Sequence, residues 1–302
     1  MKRKVIKLAQ QTLVVSLPAA WCRSNGVGKG DEVVCDERRG SIVISKDVPS
    51  KKTSAQLDGD VFGVLVKRTL NELYHAGVDR VTVTARKPKT LVHINETLNQ
   101  LLGYHIVEQR EGSIVIEDLG RADQDLDALF RRFLLLIKTM LDDGIRAAHL
   151  KNEDELRSIM HRDIDVNKFA NLCIRTLAKD PHLAPDHAAR MHTLIYQTEQ
   201  LADEYKHLLA RLAANPSQAA ASADMLRSAA NVYDASYRFV FQRTLANAQA
   251  AAVAYESAQS ELKNARIKDS HVISAIDSLI KKAVTIQELF LHQLQDVHHG
   301  PA

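Results

Sequence analysis

The sequence predicts a multidomain protein: a small strand-rich N-terminal module, a small α/β connector, and an all-α bundle of two three-helix repeats. Three observations lead to this prediction. Residues 5–44 contain short apolar runs separated by turn-forming residues, which is typical of strands. Residues 60–120 alternate between helical and strand patterns. From about residue 121 onward, long stretches carry apolar residues at helical spacing.

The N-terminal module, residues 1–48, contains four apolar runs and one short helix-forming stretch. Between the second and third runs, the segment AAWCRSNG favours about one turn of helix before the following glycines end it. Gly28 and Gly30 permit a tight turn, and Asp31 is expected to cap or pair within that turn. A segment of about 45 residues is too small to bury a sufficient core alone, so the module is expected to associate with a second copy.

Two segments of this module carry a family resemblance. Residues 12–21, TLVVSLPAAW, and residues 26–33, GVGKGDEV, resemble the AbrB/SpoVT/MazE family of DNA-binding modules. The resemblance implies a swapped-hairpin β-barrel that is completed only by two chains and places a basic face on the DNA duplex. It therefore implies a homodimer or a higher even oligomer.

The charge distribution agrees with a DNA-binding module. Residues 1–52 contain eleven lysines and arginines against five acids, a net charge of +6, whereas the whole chain carries only +3. Concentrated positive charge is the electrostatic footprint of a protein that binds the phosphate backbone. Arg23 is the preferred contact, because its planar fork can bind a phosphate or a guanine edge. The candidate DNA contacts are Lys4, Lys7, Arg23, Lys29 and Arg38. Trp21 could stack near DNA, but packing within the barrel is favoured.

A linker and a connector domain are predicted next. Residues 49–59 are polar and lack periodicity, as a linker should. In the connector, residues 60–120, residues 60–77 and 91–102 read as helices and residues 81–85 as a strand. Glu111-Gly112 suits a tight turn between two further strands.

The remaining chain is predicted to form two helical repeats, residues 121–214 and 215–297. Each repeat contains three amphipathic stretches of about 25 residues, which would be ~37 Å long as helices. In the first repeat, the segment from Gly144 to Asn152 is predicted to separate the first two helices. The arrangement of three helices plus three helices indicates a duplicated hairpin bundle.

The acids of the first repeat carry a second resemblance. Asp163 with Asp165 in HRDIDVNKF, and Glu199 with Asp203 in TEQLADEYK, resemble the acidic motifs of the PhoU family of phosphate-uptake regulators. The order of the three modules resembles archaeal fused regulators of that family. The resemblance implies a transcriptional regulator of phosphate uptake or homeostasis and a surface cluster of iron, zinc, manganese or magnesium.

Elementary chemistry is compatible with a metal at these acids. Glu199 and Asp203 lie four residues apart on one helix face, and Asp163 would approach from a neighbouring helix. The alternative is a solvated helix face, because 37 acids in 302 residues produce such spacings by chance. In the second repeat, Ile280 and Val284 stand at the positions that correspond to Glu199 and Asp203, so the candidate ligand set is Asp163, Glu199 and Asp203.

Other features of the sequence limit the possible functions. No run of about 18 uncharged apolar residues occurs and no secretory signal is evident, so a cytoplasmic location is expected. Three cysteines cannot pair completely, which favours buried thiols. The connector has no phosphate-binding glycine loop and no nucleophile constellation, so it is expected to be a small connecting domain. We expect that the protein is not an enzyme.

Two functions remain open from the sequence. In the first, paired basic modules bind DNA while the helical bundle acts as sensor or partner-binding domain. In the second, the protein is a signalling adaptor that contacts a phosphate transporter or a sensor kinase, and the N-terminal module serves only dimerisation. Salt-dependent DNA binding would distinguish the two functions.

Overall fold

A computed structural model describes residues 2–8, 12–38, 41–46, 52–120, 124–180 and 183–294, with the backbone alone for residues 36–38, 41 and 43. The chain divides into two compact units, Met1–Lys52 and Thr53–Ala302, here named the N-terminal unit and the C-terminal unit.

The N-terminal unit consists of two hairpins and one short helix. Its elements are β1 (Val5–Lys7), β2 (Leu13–Val15), α1 (Ala19–Ser24), β3 (Val34–Arg38) and β4 (Ser41–Ser45). β1 pairs antiparallel with β2, and β3 pairs antiparallel with β4. The predicted order of two strands, a helix and two strands is therefore confirmed.

The glycine-rich turn between α1 and β3 has the expected geometry. Gly26 and Gly30 adopt positive φ angles of 58° and 93°, which glycine adopts without steric cost. The Gly28 N–H donates a hydrogen bond of 2.9 Å to a carboxylate oxygen of Asp31. Asp31 thus closes this turn, as its position in the sequence predicts.

The two hairpins leave apolar side chains uncovered. Among the described residues, their strands form two separate two-stranded sheets and do not close into a barrel within one chain. Val5 is 64% exposed, Leu13 67% and Ile42 68%. Such exposure of several large apolar residues is unusual for a small strand-rich unit.

The C-terminal unit begins with a four-stranded mixed sheet. Its elements are β5 (Ser54–Asp58), α2 (Gly59–Phe62), α3 (Val66–His75), β6 (Arg80–Thr84), α4 (Pro88–Leu98), β7 (Tyr104–Arg110) and β8 (Ser113–Asp118). The strand order is β5-β6-β8-β7, with β5 parallel to β6 and the other neighbours antiparallel. Val66, Leu70 and Tyr74 share one face of α3, and all three are fully buried in the core of this α/β connector.

Three predictions for the connector need correction. Residues 54–58 are not linker but strand β5, because they pair with β6 along their whole length. The helix predicted over residues 60–77 is interrupted at Gly63, whose φ of 56° and ψ of −120° are not helical; a 3-10 turn, Gly63–Leu65, then precedes α3. The helix predicted over residues 91–102 is α4, Pro88–Leu98.

Seven helices follow in the described part of the bundle. They are α5 (Leu126–His149), α6 (Glu153–Met160), α7 (Asp163–Lys179), α8 (Pro185–Ala213), α9 (Pro216–Phe241), α10 (Leu245–Lys263) and α11 (Ser270–Glu288), with a final 3-10 turn at Leu291–Gln293. α8 and α9 each begin with a proline, whose fixed φ suits the first helical position. One continuous apolar core joins all seven helices.

The first repeat departs from the predicted three helices in two places. α5 continues through Gly144 to His149, so the predicted division at Gly144 is wrong. The second predicted helix divides into α6 and α7 at His161 and Arg162. Arg162 forms an ion pair there with Asp143 of α5, a tertiary contact that helical periodicity does not report. No helix in the described parts of the chain is long and apolar enough to cross a membrane.

The three cysteines differ in exposure, which gives a testable prediction. Cys173 is buried in the bundle core, and burial raises the pKa of its thiol to about 12, whereas Cys35 is exposed and Cys22 is intermediate. The prediction of buried thiols therefore holds for Cys173 and is wrong for Cys35. We expect DTNB (5,5′-dithiobis(2-nitrobenzoic acid)) to label Cys35 in the folded protein and Cys173 only after unfolding in guanidinium, because the thiolate is the reactive form. Equal labelling rates for all three thiols would contradict this packing.

Candidate functional site

Four of the five predicted DNA contacts lie on described elements of the N-terminal unit. Lys4 directly precedes β1, and Lys7 is the last residue of that strand. Arg23 lies in the last turn of α1, and Lys29 lies in the glycine-rich turn. All four side chains are exposed. No carboxylate pairs with any of these four groups among the residues described, so their charges are not neutralised within the unit.

Arg38 and Trp21 differ from these four exposed residues. Arg38 is the last residue of β3, but its side chain lies outside what the structure describes. Trp21 lies on α1 with intermediate burial, so its ring is only partly covered by the single chain.

The structure places two of the three predicted metal ligands, Asp163 and Asp203, at a lysine ammonium. Lys206 Nζ lies 2.8 Å from Asp163 Oδ2 and also donates a hydrogen bond to Asp203 Oδ1. Asn167 Nδ2 donates to the same Asp163 oxygen at 3.2 Å. We name Asp163, Glu199, Asp203 and Lys206 the acid cluster.

Electrostatics within the acid cluster follow from burial and from neighbouring charges. Burial raises the pKa of Glu199, and the carboxylates of Asp203 and Asp163 raise it further. Burial opposes the charged form of Lys206, but its hydrogen bonds to Asp163 and Asp203 outweigh that cost and raise its pKa. The hydrogen bonds therefore favour the charged form of Lys206, whereas burial opposes the charged form of Glu199.

This geometry does not fit a metal ion held by Asp163, Glu199 and Asp203. A metal would have to occupy the space in which the Lys206 ammonium bridges two of the three carboxylates. No group of three or more histidine, cysteine, aspartate or glutamate side chains in the described ranges could hold a metal ion. Lys206 supplies the positive charge that the resemblance assigns to a metal.

A buried arginine joins the bundle to the connector. Arg175 of α7 is only 3% exposed, and its Nη2 lies 2.7 Å from Asp118 Oδ2 at the end of β8. Arg175 Nη1 donates a hydrogen bond of 2.9 Å to the backbone carbonyl of Tyr74 on α3. Its guanidinium also lies over the rings of Tyr74 and Tyr104, 4.8 and 5.1 Å from their centres.

Asp79 and Lys179 extend this contact, and we name the whole set the Arg175 clamp. Arg175 Nη2 lies 3.4 Å from Asp79 Oδ1, which also accepts a hydrogen bond from Lys179. Burial would raise the pKa of Asp79, but hydrogen bonds from Lys179 and from the Thr53 backbone N–H lower it overall. The clamp therefore holds the connector and helix α7 together through charged groups that are largely removed from water.

A groove of about 1100 Å³ lies beside this junction, between helices α3 and α4 of the connector and helices α7 and α8 of the bundle. Its polar lining includes Arg68, Glu72, Asn167, Tyr196 and Glu199. Asn167 and Glu199 connect the groove with the acid cluster. Ligand sites often occupy such junctions between domains.

The sequence indicated some of these groups and missed others. Lys206 follows Asp203 by three residues, a spacing that brings an acid and a lysine together on a helix, so a sequence signal for the ion pair existed. Arg175 had no such signal, because Asp118 lies 57 residues away in the chain.

No family model, no curated protein and no solved structure matches the chain.

Proposed function

We propose that this protein is a DNA-binding transcriptional regulator of the PhoU-like type that acts in phosphate homeostasis, with the helical bundle as sensor or partner-binding domain. The observation that carries the proposal is the N-terminal unit, which presents unpaired basic side chains together with uncovered apolar strands. The order of modules in the sequence, and its resemblance to the archaeal regulators, supplies the connection to phosphate. The proposal assigns no catalytic step and requires a cytoplasmic location.

The proposal includes a dimer in which two N-terminal units form one swapped-hairpin barrel. Covering Val5, Leu13 and Ile42 with the same residues of a second copy would remove their apolar surface from water, which is the main favourable term in association. A closed barrel would also pair the free edges of β1 to β4. Two copies bring two sets of Lys4, Lys7, Arg23, Lys29 and Arg38 to one surface.

Mutation of two basic residues tests the DNA-binding part. We expect the double variant Lys7→Ala, Arg23→Ala to weaken binding to duplex DNA. The slope of log affinity against log salt should also become shallower, by roughly one for each phosphate group that the variant no longer neutralises. The measurement is a fluorescence anisotropy titration of the full chain over a salt series.

A matched control carries the same charge change elsewhere. Arg227 and Lys263 are exposed residues of α9 and α10, and neither has an ion-pair partner in the part of the chain that the structure describes. The double variant Arg227→Ala, Lys263→Ala should bind DNA like the unmodified protein. Equally weakened binding in both double variants would mean that net charge alone governs binding, and would remove the assignment to the N-terminal unit.

The second candidate function is a signalling adaptor that binds a phosphate transporter or a sensor kinase, with the N-terminal unit as a dimerisation device. An apolar patch on the connector favours it. Val61 is 79% exposed, Val64 69% and Leu65 52%, all in the segment that surrounds Gly63. Patches of this kind occur at protein interfaces. Absence of salt-dependent DNA binding by the full chain would favour this candidate.

A further inference from the structure

The acid cluster contains more negative charge than its own ammonium balances. Asp163, Glu199 and Asp203 face a single lysine, Lys206. His207 Nε2 lies 3.6 Å from Asp203 Oδ2, but the His207 side chain is 73% exposed and lies mostly in solvent. The buried side of the cluster therefore favours a further positively charged group.

Two buried oxygen atoms at the cluster lack hydrogen-bond donors. Asp163 Oδ1 and Asn167 Oδ1 have no partner, although the Asp163 side chain is only 8% exposed. A buried acceptor without a donor costs free energy, and native structures rarely leave one unexplained. Both atoms can accept a hydrogen bond from an N–H or O–H group, and the excess of carboxylates over ammonium groups favours a cationic donor.

The groove reaches the acid cluster at Glu199, beside Asn167. Asn167 and Glu199 line it together with Tyr196, a residue that is 52% exposed, and with the exposed side chain of Glu72 on α3. The lining also contains apolar side chains such as Ile174. Carboxylates, an amide oxygen and an aromatic face are the groups that bind organic ammonium ions.

Positive charge in the groove is partly neutralised. Lys67 pairs with Glu96, so only the exposed Arg68 remains as an unpaired lysine or arginine of the lining within the described residues. Lys206 demonstrates that the acid cluster accepts a primary ammonium, since two of its carboxylates already bind one.

We propose that the groove between the connector and the bundle binds a small aliphatic diamine or polyamine. One ammonium lies between Asn167 and Glu199, and the methylene chain follows the apolar lining past Tyr196. This site is independent of DNA contact, which involves the N-terminal unit.

Calorimetric titration of the full chain with 1,4-diaminobutane tests the proposal, with 1,4-butanediol as the neutral compound of the same length. We expect saturable binding of the diamine and none of the diol. Glu199→Gln should lower diamine affinity roughly tenfold or more, because it removes a charged hydrogen-bond acceptor while keeping the shape of the side chain. Glutamine keeps the size and shape of the glutamate side chain, so this variant should keep its thermal stability.

Glu256→Gln is the matched control. Glu256 is exposed on α10 and has no ion-pair partner in the described ranges, so its replacement should leave diamine affinity unchanged. Equal heats from diamine and diol would overturn the proposal, as would unchanged affinity in Glu199→Gln. Saturable binding of Mg²⁺ that displaces the diamine would overturn it in favour of a metal site. None of these outcomes depends on DNA binding, which is measured separately.

Discussion

Replacing Arg175 by alanine is expected to destabilise the C-terminal unit by about 3 kcal/mol, because the change leaves Asp118 and Asp79 without their buried partner. The two side chains are only 14% and 13% exposed, so water cannot replace the guanidinium fully. The value lies at the low end for a broken buried pair, since Lys179 remains close to both carboxylates. Urea unfolding followed by circular dichroism measures the change in the free energy of unfolding.

An exposed ion pair provides the comparison. Arg157 pairs with Glu153 on α6, and both side chains are about half exposed. Arg157→Ala should cost less than about 1 kcal/mol, because solvent screens such pairs. If Arg175→Ala costs no more than Arg157→Ala, the clamp does not hold the connector to the bundle.

Replacing Gly144 by alanine is expected to destabilise the bundle by about 1–3 kcal/mol through overpacking. Helix propensity alone predicts the opposite sign, since alanine is about 1 kcal/mol better than glycine within a helix. The added Cβ would lie 2.0 Å from Tyr205 Oη and 2.8 Å from Tyr205 Cζ. Tyr205 is 1% exposed, and its hydroxyl donates a hydrogen bond of 3.1 Å to the Leu141 carbonyl, so the ring has little room to move.

A double-mutant cycle with Tyr205→Phe separates the two effects. Removing the hydroxyl relieves the shortest contact, so Gly144→Ala should be less destabilising in the Tyr205→Phe background than in the unmodified protein. Thermal or urea unfolding of the four proteins gives the interaction energy. A stabilising Gly144→Ala would show that the helices separate enough to accept a methyl group at this crossing.

Local sequence patterns predicted which helices and strands form better than they predicted the residues at which each begins and ends. The four strands of the N-terminal unit, the hairpin at Glu111-Gly112 and the long helices α8 and α9 follow from periodicity, prolines and glycines, which act within a few residues. Glycine often ends a helix, but Gly144 lies within α5 and leaves room for Tyr205 of α8. The position of a glycine alone does not distinguish these two uses.

Part of the candidate site could also be predicted from the sequence, and part could not. The exposure of Lys4, Lys7, Arg23 and Lys29 could be anticipated from charge alone, because long basic side chains stay in water unless they are paired. The sequence indicated that Asp163, Glu199 and Asp203 approach one another, but not that a lysine lies among them. Only the packing of α7 against α8 shows that the Lys206 ammonium lies between Asp163 and Asp203.

The sequence by itself determined the order of the modules, the placement of positive charge in residues 1–52 and the amphipathic faces that build the bundle core. These properties depend on composition and on spacing along one chain. Tertiary structure alone decided the pairing of Arg175 with Asp118 and Asp79, the extension of α5 through Gly144 and the groove beside the acid cluster. Each of these features requires groups that are distant in sequence to meet where water is largely excluded. The interaction energies of those groups depend on that burial.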